Sequence, residues 1–558
     1  ISGEPGIGKT RLGAELAQRV HEQGALVLYG RCDEGLAVPY QPFVEVLRLY
    51  VGVVGVDRLR AELGHFVSEL GRLLPEFAGL DEAVHSDPES ERFALFEAVA
   101  AVVEMMTREQ KALLVIDDLH WAARPTLLLL RHLIRSERPL GVLLLATYRE
   151  TDPDPDHRLA QLLADLHRDA SVERLILRGL DQRAIAALLE ATGHPRKAHT
   201  SQLVLMLEAQ TAGNPFFIRE LLAHMTESGT ISSAGKRSQA ELQSPEGVRH
   251  VIDQRVARLS APAGFALRLA AVAGPTFSFT LLERVLGART GVLDGLDEAV
   301  AAGLLTETGH GNYAFAHALV RQTIYRGLGG VQRIRLHRQL GEALEAFGDA
   351  QAHIEALAHH FARAAPDGQG LKAATYALAA GRRAAARLGY EEAAAHYERG
   401  LQALTLSERP QQQQRCELLL ALGEACWGTG DLDNARCAYR QAAELASGRD
   451  DAFALARAAL GYCGPQRVEL AAAVIEPVVE LLQRALAAMG GGDSALRAQL
   501  MGRLAACTDV ERLPNARRAR EMARRIADKA VLADVLASTH VVHDPDAVHE
   551  SLAAAAEL

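Results

Sequence analysis

The chain opens with Ile1-Ser-Gly-Glu-Pro-Gly-Ile-Gly-Lys-Thr10, which holds the pattern G-x-x-x-x-G-K-[ST] from Gly3 to Thr10. The chemistry of phosphate binding explains this pattern. Glycines let backbone N–H groups turn inward around phosphate oxygens, the lysine adds a point charge, and the hydroxyl after it can ligate Mg²⁺. We therefore expect ATP or GTP to bind here, with Lys9 on the phosphates and Thr10 on the metal.

The predicted nucleotide contacts cover the whole loop and the residues that follow it. They are Gly3, Glu4, Pro5, Gly6, Ile7, Gly8, Lys9, Thr10 and Arg11. Such a loop normally follows a buried parallel strand, and only Ile1 and Ser2 precede it here. We expect a fragment that lacks both termini and binds nucleotide more weakly than the intact protein.

Composition narrows the class of protein. A chain of 558 residues suggests about three to five domains. Hydrophobic residues make up 49% and charged residues 23%, which is typical of a globular protein. The net charge of −10 argues against a chain-wide nucleic-acid surface. The most basic stretch, 515–525, alternates arginine with alanine at helical spacing, which favours a solvated helix face over a DNA-binding patch.

Two further features bear on location. No run approaches the ~18 apolar residues that span a bilayer, so we expect no membrane contact. The six cysteines are scattered without a C-x-x-C pair, which favours reduced thiols, a cytoplasmic protein and no cysteine-bound metal.

Helix and strand patterns alternate after the loop. Leu12, Leu16 and Val20 recur at helical spacing before Gly24, and Ala25–Tyr29 predicts a buried strand. This alternation predicts an α/β parallel sheet.

A second motif, Ala112-Leu-Leu-Val-Ile-Asp-Asp-Leu-His-Trp121, runs five apolar residues into two aspartates. It predicts a buried strand whose carboxyl end places carboxylates at the nucleotide cleft, as a Walker B element does. We assign Asp117 to Mg²⁺ and Asp118 to the attacking water, as its orienting group or base. The alternative, a strand that ends in a turn with a capping aspartate, is disfavoured because both motifs are present.

A third strand is predicted over Gly141–Arg149. Thr147 or Arg149 at its end could sense the terminal phosphate, and we count Arg149 among the catalytic residues. The alternative is a surface ion pair between Arg149 and Glu150. A fourth strand is predicted over Val172–Leu177.

An amphipathic helix is predicted over Glu91–Ala100, before the strand that ends at Asp117. Its inward residues are predicted to be Phe93, Phe96 and Ala100, in a packing role.

Six ordered motifs resemble the STAND class of signal-transduction ATPases, in particular the large ATP-binding LuxR-type regulators of bacteria. They are Gly3–Leu12, Pro39–Phe43, Arg92–Phe96, Leu114–Trp121, Ala146–Arg149 and Gly213–Phe217. One departure is visible, because similar proteins usually follow His-Trp-Ala with an acidic residue where this chain has Ala123 and Arg124. That weakens the expectation of efficient hydrolysis.

The resemblance also implies the remaining domains. It divides the chain into a P-loop NTPase core over 1–180, a helical lid and linker over 181–240, a winged helix over 241–345 and tetratricopeptide-like repeats over 346–558. In the lid, Pro215 of the G-x-P motif would approach the nucleotide. The alternative for Asn214-Pro215 is a simple helix start.

The winged helix is predicted from helical patterns followed by a glycine-rich hairpin over Leu304–Phe315. In this class the domain usually packs on the ATPase, which we favour over DNA binding. His317 could contact the nucleotide, although a structural hydrogen bond is the favoured role. The adjacent His359 and His360 lack a third ligand at suitable spacing, so we interpret them as structural.

The repeats are predicted from glycine, alanine and tyrosine at matching offsets. Gly381 precedes Tyr397 as Gly423 precedes Tyr439, which are positions where a small residue lets an aromatic fill the groove. The two units lie 42 residues apart, so the array is irregular compared with the ~34 of a standard repeat.

The function implied is an ATP-gated regulatory switch that controls transcription, with slow hydrolysis, ATP or ADP and Mg²⁺ as cofactors, and the repeats sensing an inducer or signalling protein. DNA would bind only through a domain outside this chain, and nucleotide-dependent self-association is expected. The alternatives are the regulatory half of a nucleotide cyclase or protein kinase, and a motor-type AAA+ ATPase.

Overall fold

The computed structural model describes residues 1–78, 87–138, 140–149, 158–167, 169, 171–192, 200–227, 252–286, 292–407, 411–464, 472–507, 512–539 and 548–557. These residues form two compact units, Ile1–Asp367 and Gly368–Leu558. The end of the predicted lid and linker segment, from residue 228 to residue 240, lies outside the described residues. The finer domain boundaries remain predictions.

The first unit begins with alternating strands and helices, as predicted. The strands are β1 (Ser2–Gly3), β2 (Leu26–Arg31), β3 (Ala112–Asp117), β4 (Val142–Ala146) and β5 (Tyr148–Arg149). The helices are α1 (Lys9–Glu22), α2 (Gln41–Val54), α3 (Val56–Leu63), α4 (Phe66–Leu70), α5 (Pro88–Glu109), α6 (Arg124–Ile134) and α7 (Arg158–Leu166).

The strands pair in parallel, with β3 between β2 and β4. Every residue of β3 is buried, as expected for a central strand covered on both faces. β1 pairs with β5 through Ser2 and Tyr148. The phosphate loop therefore follows the carboxyl end of β1, and Asp117 and Arg149 are the last residues of β3 and β5. Open α/β sheets bind their ligands at this edge.

The helix that follows the loop ends where the sequence indicated. Gly24 has a φ of 86°, in the left-handed region that favours glycine. Its N–H donates to the carbonyl of His21, and the N–H of Ala25 donates to that of Val20, which is the Schellman arrangement. These bonds stop α1 and direct the chain into β2.

The predicted fourth strand is wrong. Of Val172–Leu177, only Ile176 forms an isolated parallel bridge, to Ser2. The N–H of Ser2 donates to the carbonyl of Leu175, and the N–H of Leu177 donates to the carbonyl of Ser2, so the segment lies beside β1. β1 is only two residues long and offers no partner for a longer ladder.

The predicted inward face of α5 is also partly wrong. Phe96 and Ala100 are buried, but Phe93 is 59% exposed. Leu95 and Val99 are both fully buried, so the core-facing side includes positions outside the predicted stripe. Apolar residues occupy more than one side of this helix, so periodicity alone did not fix which side is covered.

Three further helices follow, α8 (Gln182–Ala191), α9 (Thr200–Thr211) and α10 (Pro215–Glu227). They share a small core that includes Ile185, Leu207 and Ile218. This is the helical segment predicted as the lid.

The remainder of the first unit contains helices and a three-stranded antiparallel sheet in the order β6-β8-β7. The elements are α11 (252–257), α12 (Ala261–Ala273), β6 (Thr276–Ser278), α13 (Phe279–Leu286), α14 (Val292–Ala301), β7 (Leu305–Gly309), β8 (Asn312–Phe315), α15 (Ala318–Gly327), α16 (Gly330–Glu345) and α17 (Ile354–Ala364). His310 and Gly311 join β7 to β8, both with positive φ, as two-residue hairpin turns require. The hairpin beside the helices is the wing predicted from sequence.

The second unit is helical throughout its described residues. Its helices are α18 (Gly370–Ala386), α19 (Tyr390–Leu404), α20 (Gln412–Thr429), α21 (Leu432–Ser447), α22 (Ala452–Cys463), α23 (Ala472–Ala488), α24 (Ala495–Cys507), α25 (Arg512–Ile526), α26 (Lys529–Thr539) and α27 (Val548–Glu557). The predicted glycine–tyrosine contacts are present. A Cβ added to Gly423 would lie 2.6 Å from the Tyr439 ring, and one added to Gly381 would lie 2.2 Å from the Tyr397 ring.

The basic stretch lies on α25, where it packs as an amphipathic helix. Ala516 and Ala519 are fully buried, while Arg524 and Arg525 form ion pairs with Glu557 and Asp493. Within the part of the chain that the structure describes, no helix combines the length and apolarity needed to cross a membrane.

Candidate nucleotide site

The phosphate loop connects β1 to α1. Gly6 and Gly8 have φ values of 86° and 106°, which side chains other than glycine rarely adopt. A Cβ on Gly6 would also lie 2.9 Å from Cβ of Phe216, so this position has no room for a larger residue. The loop therefore has the backbone freedom that its sequence pattern predicted.

Lys9, the first residue of α1, is buried. Its ammonium donates to the carbonyl oxygens of Gly3, at 2.9 Å, and Glu4, at 3.0 Å. Burial, followed by the charge of Arg149, lowers the pKa of Lys9 below its usual value. A phosphate group at this position would offset the repulsion between the two cations.

The candidate metal ligands lie together at the end of β3. The Thr10 hydroxyl donates to the Asp117 carboxylate, with Oγ1 3.1 Å from Oδ2. Two more hydroxyls donate to the same carboxylate, from Tyr29 at 2.7 Å and from Thr147. Mg²⁺ takes oxygen ligands of this kind, one or two from the protein and the others from phosphates and water. Thr10 and Asp117 therefore fit the metal role predicted for them.

Asp118 follows the strand with a φ of 55°, uncommon for a residue other than glycine but tolerated by aspartate. Its backbone N–H donates to the Thr147 hydroxyl at 3.1 Å, and its carboxylate lies 3.3 Å from the Arg31 guanidinium. Burial, followed by the charge of Asp117, raises the pKa of Asp118. A partly buried carboxylate with a raised pKa is suited to accepting a proton from water.

Arg149 lies opposite Gly3 in the β1–β5 pair. Its charge lowers the pKa of Lys9 and of His317, so it lies within electrostatic reach of both. The alternative partner, Glu150, lies outside the described residues.

Arg11 lies in the first turn of α1, and its side chain is 81% exposed. It forms an ion pair with Glu15 at 2.5 Å, so the contact given for this side chain is on the helix surface. Its predicted contact with the nucleotide remains a prediction.

The lid helix α10 begins against the phosphate loop. Asn214 is almost completely buried, and its Nδ2 donates to the carbonyl oxygen of Pro5 at 3.0 Å. Its Oδ1 accepts from the N–H of Phe216 at 3.2 Å, which caps the helix. Asn214 thus has both the capping role and a contact with the loop. Pro215 stands between two residues that contact the loop, since Phe216 is the neighbour of Gly6.

His317 continues this contact from the winged helix. Its ring stacks on Phe216, with centroids 3.9 Å apart, and its Nδ1 accepts from the N–H of Leu319 at 3.1 Å. Burial, followed by the charges of Arg149 and Lys9, lowers the pKa of His317 to about 4. The structural hydrogen bond that was favoured for His317 is present, as the bond from Leu319. The charge of Lys9 also affects the pKa of the ring, so the two side chains are within electrostatic reach of each other.

Several residues at the site were not assigned from sequence. Tyr29 and Arg31 stand at the end of β2, and Phe216 follows the lid proline. A polar residue at the carboxyl end of a parallel strand was the available signal for the first two. Phe216 belongs to the motif Gly213–Phe217, but no contact was assigned to it, because an aromatic residue in a helix usually packs in a core.

The departure at residue 123 has a local effect. Ala123 is the N-cap residue of α6 and provides no side-chain acceptor for the first turn. An acidic residue there would be a favourable cap, so the change removes a stabilising group next to Asp118.

Comparison with known proteins shows one similar sequence, two similar solved structures and one matching family profile. An uncharacterized protein of Rhizobium meliloti (strain 1021) is 26% identical over 479 residues, which cover 80% of this chain and 45% of that protein. The chain thus spans about half the length of this relative.

Two solved structures are also similar. A STAND protein with a tetratricopeptide repeat sensor from Pyrococcus horikoshii has a TM-score of 0.42 and 14% identity, over 100% of this chain and 80% of that one. A Walker-type ATPase of Pyrococcus abyssi has a TM-score of 0.26 and 12% identity, over 58% of this chain and 89% of that one.

The sequence profile of the AAA ATPase domain matches residues 1–145. This range includes the phosphate loop, Lys9, Thr10 and the two aspartates at the end of β3, Asp117 and Asp118. Residues 1–145 are thus similar to the AAA ATPase domain in sequence, and the matched range contains the elements that position the candidate site.

Proposed function

We propose that this chain is an ATP-binding regulatory switch, in which the nucleotide at the phosphate loop sets the position of the lid and the winged helix. The observation that supports it most is a continuous set of contacts. Asn214 bonds to Pro5 of the loop, Phe216 packs on Gly6, and His317 stacks on Phe216. A change of ligand at the loop would therefore reach the lid helix α10 directly and the winged helix through Phe216.

The chemistry of the site supports nucleotide hydrolysis in addition to binding. Lys9 would bind the phosphates, and Thr10 and Asp117 would hold Mg²⁺. When bound, Mg²⁺ neutralises charge on the phosphates. Asp118 would orient the attacking water and accept its proton.

Hydrolysis is expected to be slow. The Asp118 carboxylate is paired with Arg31, which must be displaced or shared before the carboxylate can accept a proton. The uncapped start of α6 at Ala123 further weakens the support of this segment. Slow turnover suits a switch, because hydrolysis then resets the state.

The proposal extends to signalling. The helices of 368–558 would bind an inducing ligand or a signalling protein, and the output would be control of transcription through a DNA-binding domain outside this chain. Nucleotide-dependent self-association would be part of the output, in the cytoplasm. An inducer can shift the switch only by its difference in affinity for the two states.

The experiment that tests this proposal measures steady-state ATP turnover and the affinities for ATP and ADP on the same preparation. We expect turnover far below the ~10 s⁻¹ of a median enzyme, and different affinities for the two nucleotides. A turnover near that value with equal affinities would contradict the switch and favour a motor-type ATPase.

A further inference from the structure

Three histidines that are not assigned to the nucleotide site meet where α16 packs against α17. His337 lies on α16, and His359 and His360 lie on α17. One ring nitrogen from each lies within 4.8 Å of those from the other two. The Nδ1 atoms of His337 and His360 are 2.9 Å apart.

The third histidine of the cluster comes from a different helix than the histidine pair. The sequence showed no third ligand near His359 and His360, and the structure supplies His337 from the preceding helix. Packing of α16 against α17 brings the rings together, which spacing along the chain does not reveal. The three rings also form edge contacts, with His337 5.1 Å from His360 and 5.5 Å from His359 between centroids.

We propose that His337, His359 and His360 form a binding site for one divalent transition-metal ion, with Zn²⁺ as the ion that the donor set fits best. Imidazole nitrogen is a preferred ligand of Zn²⁺, and three protein ligands leave a fourth position for water or another small ligand. Zinc binds nitrogen at about 2.0–2.1 Å, so two nitrogens of a tetrahedral site lie roughly 3.3 Å apart. The observed 2.9 Å between two Nδ1 atoms needs only a small movement of the rings.

A hydroxyl supports the orientation of one ligand. The Tyr325 oxygen lies 3.0 Å from Nε2 of His337. When His337 binds a metal through Nδ1, its proton is on Nε2 and can be donated to this oxygen. Such partners of metal-bound histidine fix the tautomer and the ring orientation. Tyr325 therefore has the position expected of a supporting residue.

Two of the three ligands are enclosed by the protein. His337 and His360 are both more than 95% buried, whereas His359 is partly exposed. The surrounding packing therefore holds two of the rings in fixed positions.

A bound ion would join several parts of the first unit. Tyr325 belongs to α15, so ligands and support come from three consecutive helices. The loop after β2 also approaches the site, because a Cβ added to Gly35 would lie 3.5 Å from Cε1 of His359. Its neighbour Glu34 forms an ion pair with Arg321 of α15 at 2.6 Å. The ion would therefore stabilise the contact between this loop and the three helices.

The test uses the full chain without a histidine tag. Zn²⁺ is titrated calorimetrically into metal-free protein, and the zinc retained after dialysis is counted by elemental analysis. Co²⁺ then serves as a spectroscopic probe. The variants are His359→Ala, which alters the least buried ligand, Tyr325→Phe, which keeps the ring and removes the hydroxyl, and His360→Gln. The control is His396→Gln, a buried histidine of the second unit.

We expect one tightly bound zinc per chain and a tetrahedral Co²⁺ spectrum without a thiolate charge-transfer band. Tyr325→Phe should weaken zinc binding by about 10–100-fold, and His359→Ala by at least as much. His396→Gln should bind as the parent does. Because His359 is partly exposed, its variant keeps the test valid if His360→Gln fails to fold. Absence of a stoichiometric zinc site, or equal affinity in the parent and His359→Ala, would overturn the proposal.

Discussion

Asn214 donates a hydrogen bond from Nδ2 to the carbonyl oxygen of Pro5, 3.0 Å away, and so joins the start of the lid helix to the phosphate loop. The bond is partly buried and spans 209 positions of sequence. The loop with the phosphate-binding pattern is thus in direct contact with the start of α10. This contact is the physical basis of the proposed switch.

Substitution of Lys9 tests the site itself. Lys9→Ala removes the buried cation that would bind phosphate, and a charge-assisted hydrogen bond contributes about 1.5–3 kcal/mol. We expect nucleotide affinity to fall by roughly 10–100-fold or more, as measured by calorimetry. The matched control is Lys111→Ala, at the exposed start of β3 on the opposite edge of the sheet. Equal affinity in Lys9→Ala and the parent would refute the site assignment.

Two substitutions of Asn214 separate its capping role from its contact with the loop. Asn214→Ala loses both, and the lost cap alone costs about 1 kcal/mol. Asn214→Ser keeps a capping oxygen, but its side chain is one bond too short for the carbonyl of Pro5. We expect Ser to recover thermal stability while both variants lose the difference between ATP and ADP affinity. If Ser restores that difference, the bond to Pro5 has no part in the switch.

Substitution of Asp118 should affect hydrolysis and stability in opposite directions. Asp118→Asn removes the proton acceptor, which typically contributes 10²–10⁴-fold to the rate, so single-turnover hydrolysis should fall by about that factor with ATP binding retained. Burial and Asp117 raise the pKa of Asp118, so the ionised form is disfavoured in the folded chain, and stability falls as the pH rises through that pKa.

Asp118→Asn removes the free-energy cost of keeping an ionised carboxylate at this buried position at neutral pH. The thermal midpoint of the variant should therefore be equal to or above that of the parent. Asp165→Asn, at an exposed ion pair with Arg131, is the control and should change neither quantity. Retention of parental hydrolysis in Asp118→Asn would exclude Asp118 as the base.

Acid should destabilise the first unit through His317. The pKa of His317 is lowered from 6.5 to about 4, so the unfolded ring takes up a proton at a pH where the folded ring does not. The free energy of unfolding should therefore fall as the pH drops through this interval. His317→Asn should reduce the loss in thermal midpoint between about pH 7 and about pH 5. A loss of the same size in both proteins would show that His317 is not buried in its neutral form.

The tyrosine contacts of the second unit predict a steric effect. A Cβ on Gly423 would overlap the Tyr439 ring at 2.6 Å, so Gly423→Ala should lower the free energy of unfolding by about 1–3 kcal/mol. Gly448→Ala is the matched control, because its nearest neighbour would be at 3.6 Å. Calorimetric unfolding measures both. A neutral Gly423→Ala would show that the helices adjust freely around the ring.

The elements of the candidate nucleotide site could be predicted because the residues of each motif lie close together in the sequence. The phosphate loop and the apolar run before Asp117 each fall within ten consecutive residues, and both formed the expected elements. The same holds for the offset of Tyr439 from Gly423. Patterns of this kind depend on the periods of helices and strands and on few distant contacts.

The remaining features depend on packing between distant segments. Nothing in the sequence around Asn214 indicates Pro5, and nothing around His359 indicates His337. The prediction that Phe93 faces inward was wrong for a related reason, because the elements that pack against a helix decide which of its faces is buried. The strand predicted over Val172–Leu177 was limited to one bridge because its partner β1 has only two residues.

Hydrogen–deuterium exchange of the lid and the winged helix tests the switch most directly. Exchange is compared in residues 211–221 and 315–325 of the chain with ADP and with a non-hydrolysable ATP analogue and Mg²⁺, using Lys9→Ala as the control. The account predicts that the two nucleotides give different protection in both segments, and that Lys9→Ala shows no response. Identical protection with the two nucleotides, when both are bound at saturation, would contradict it.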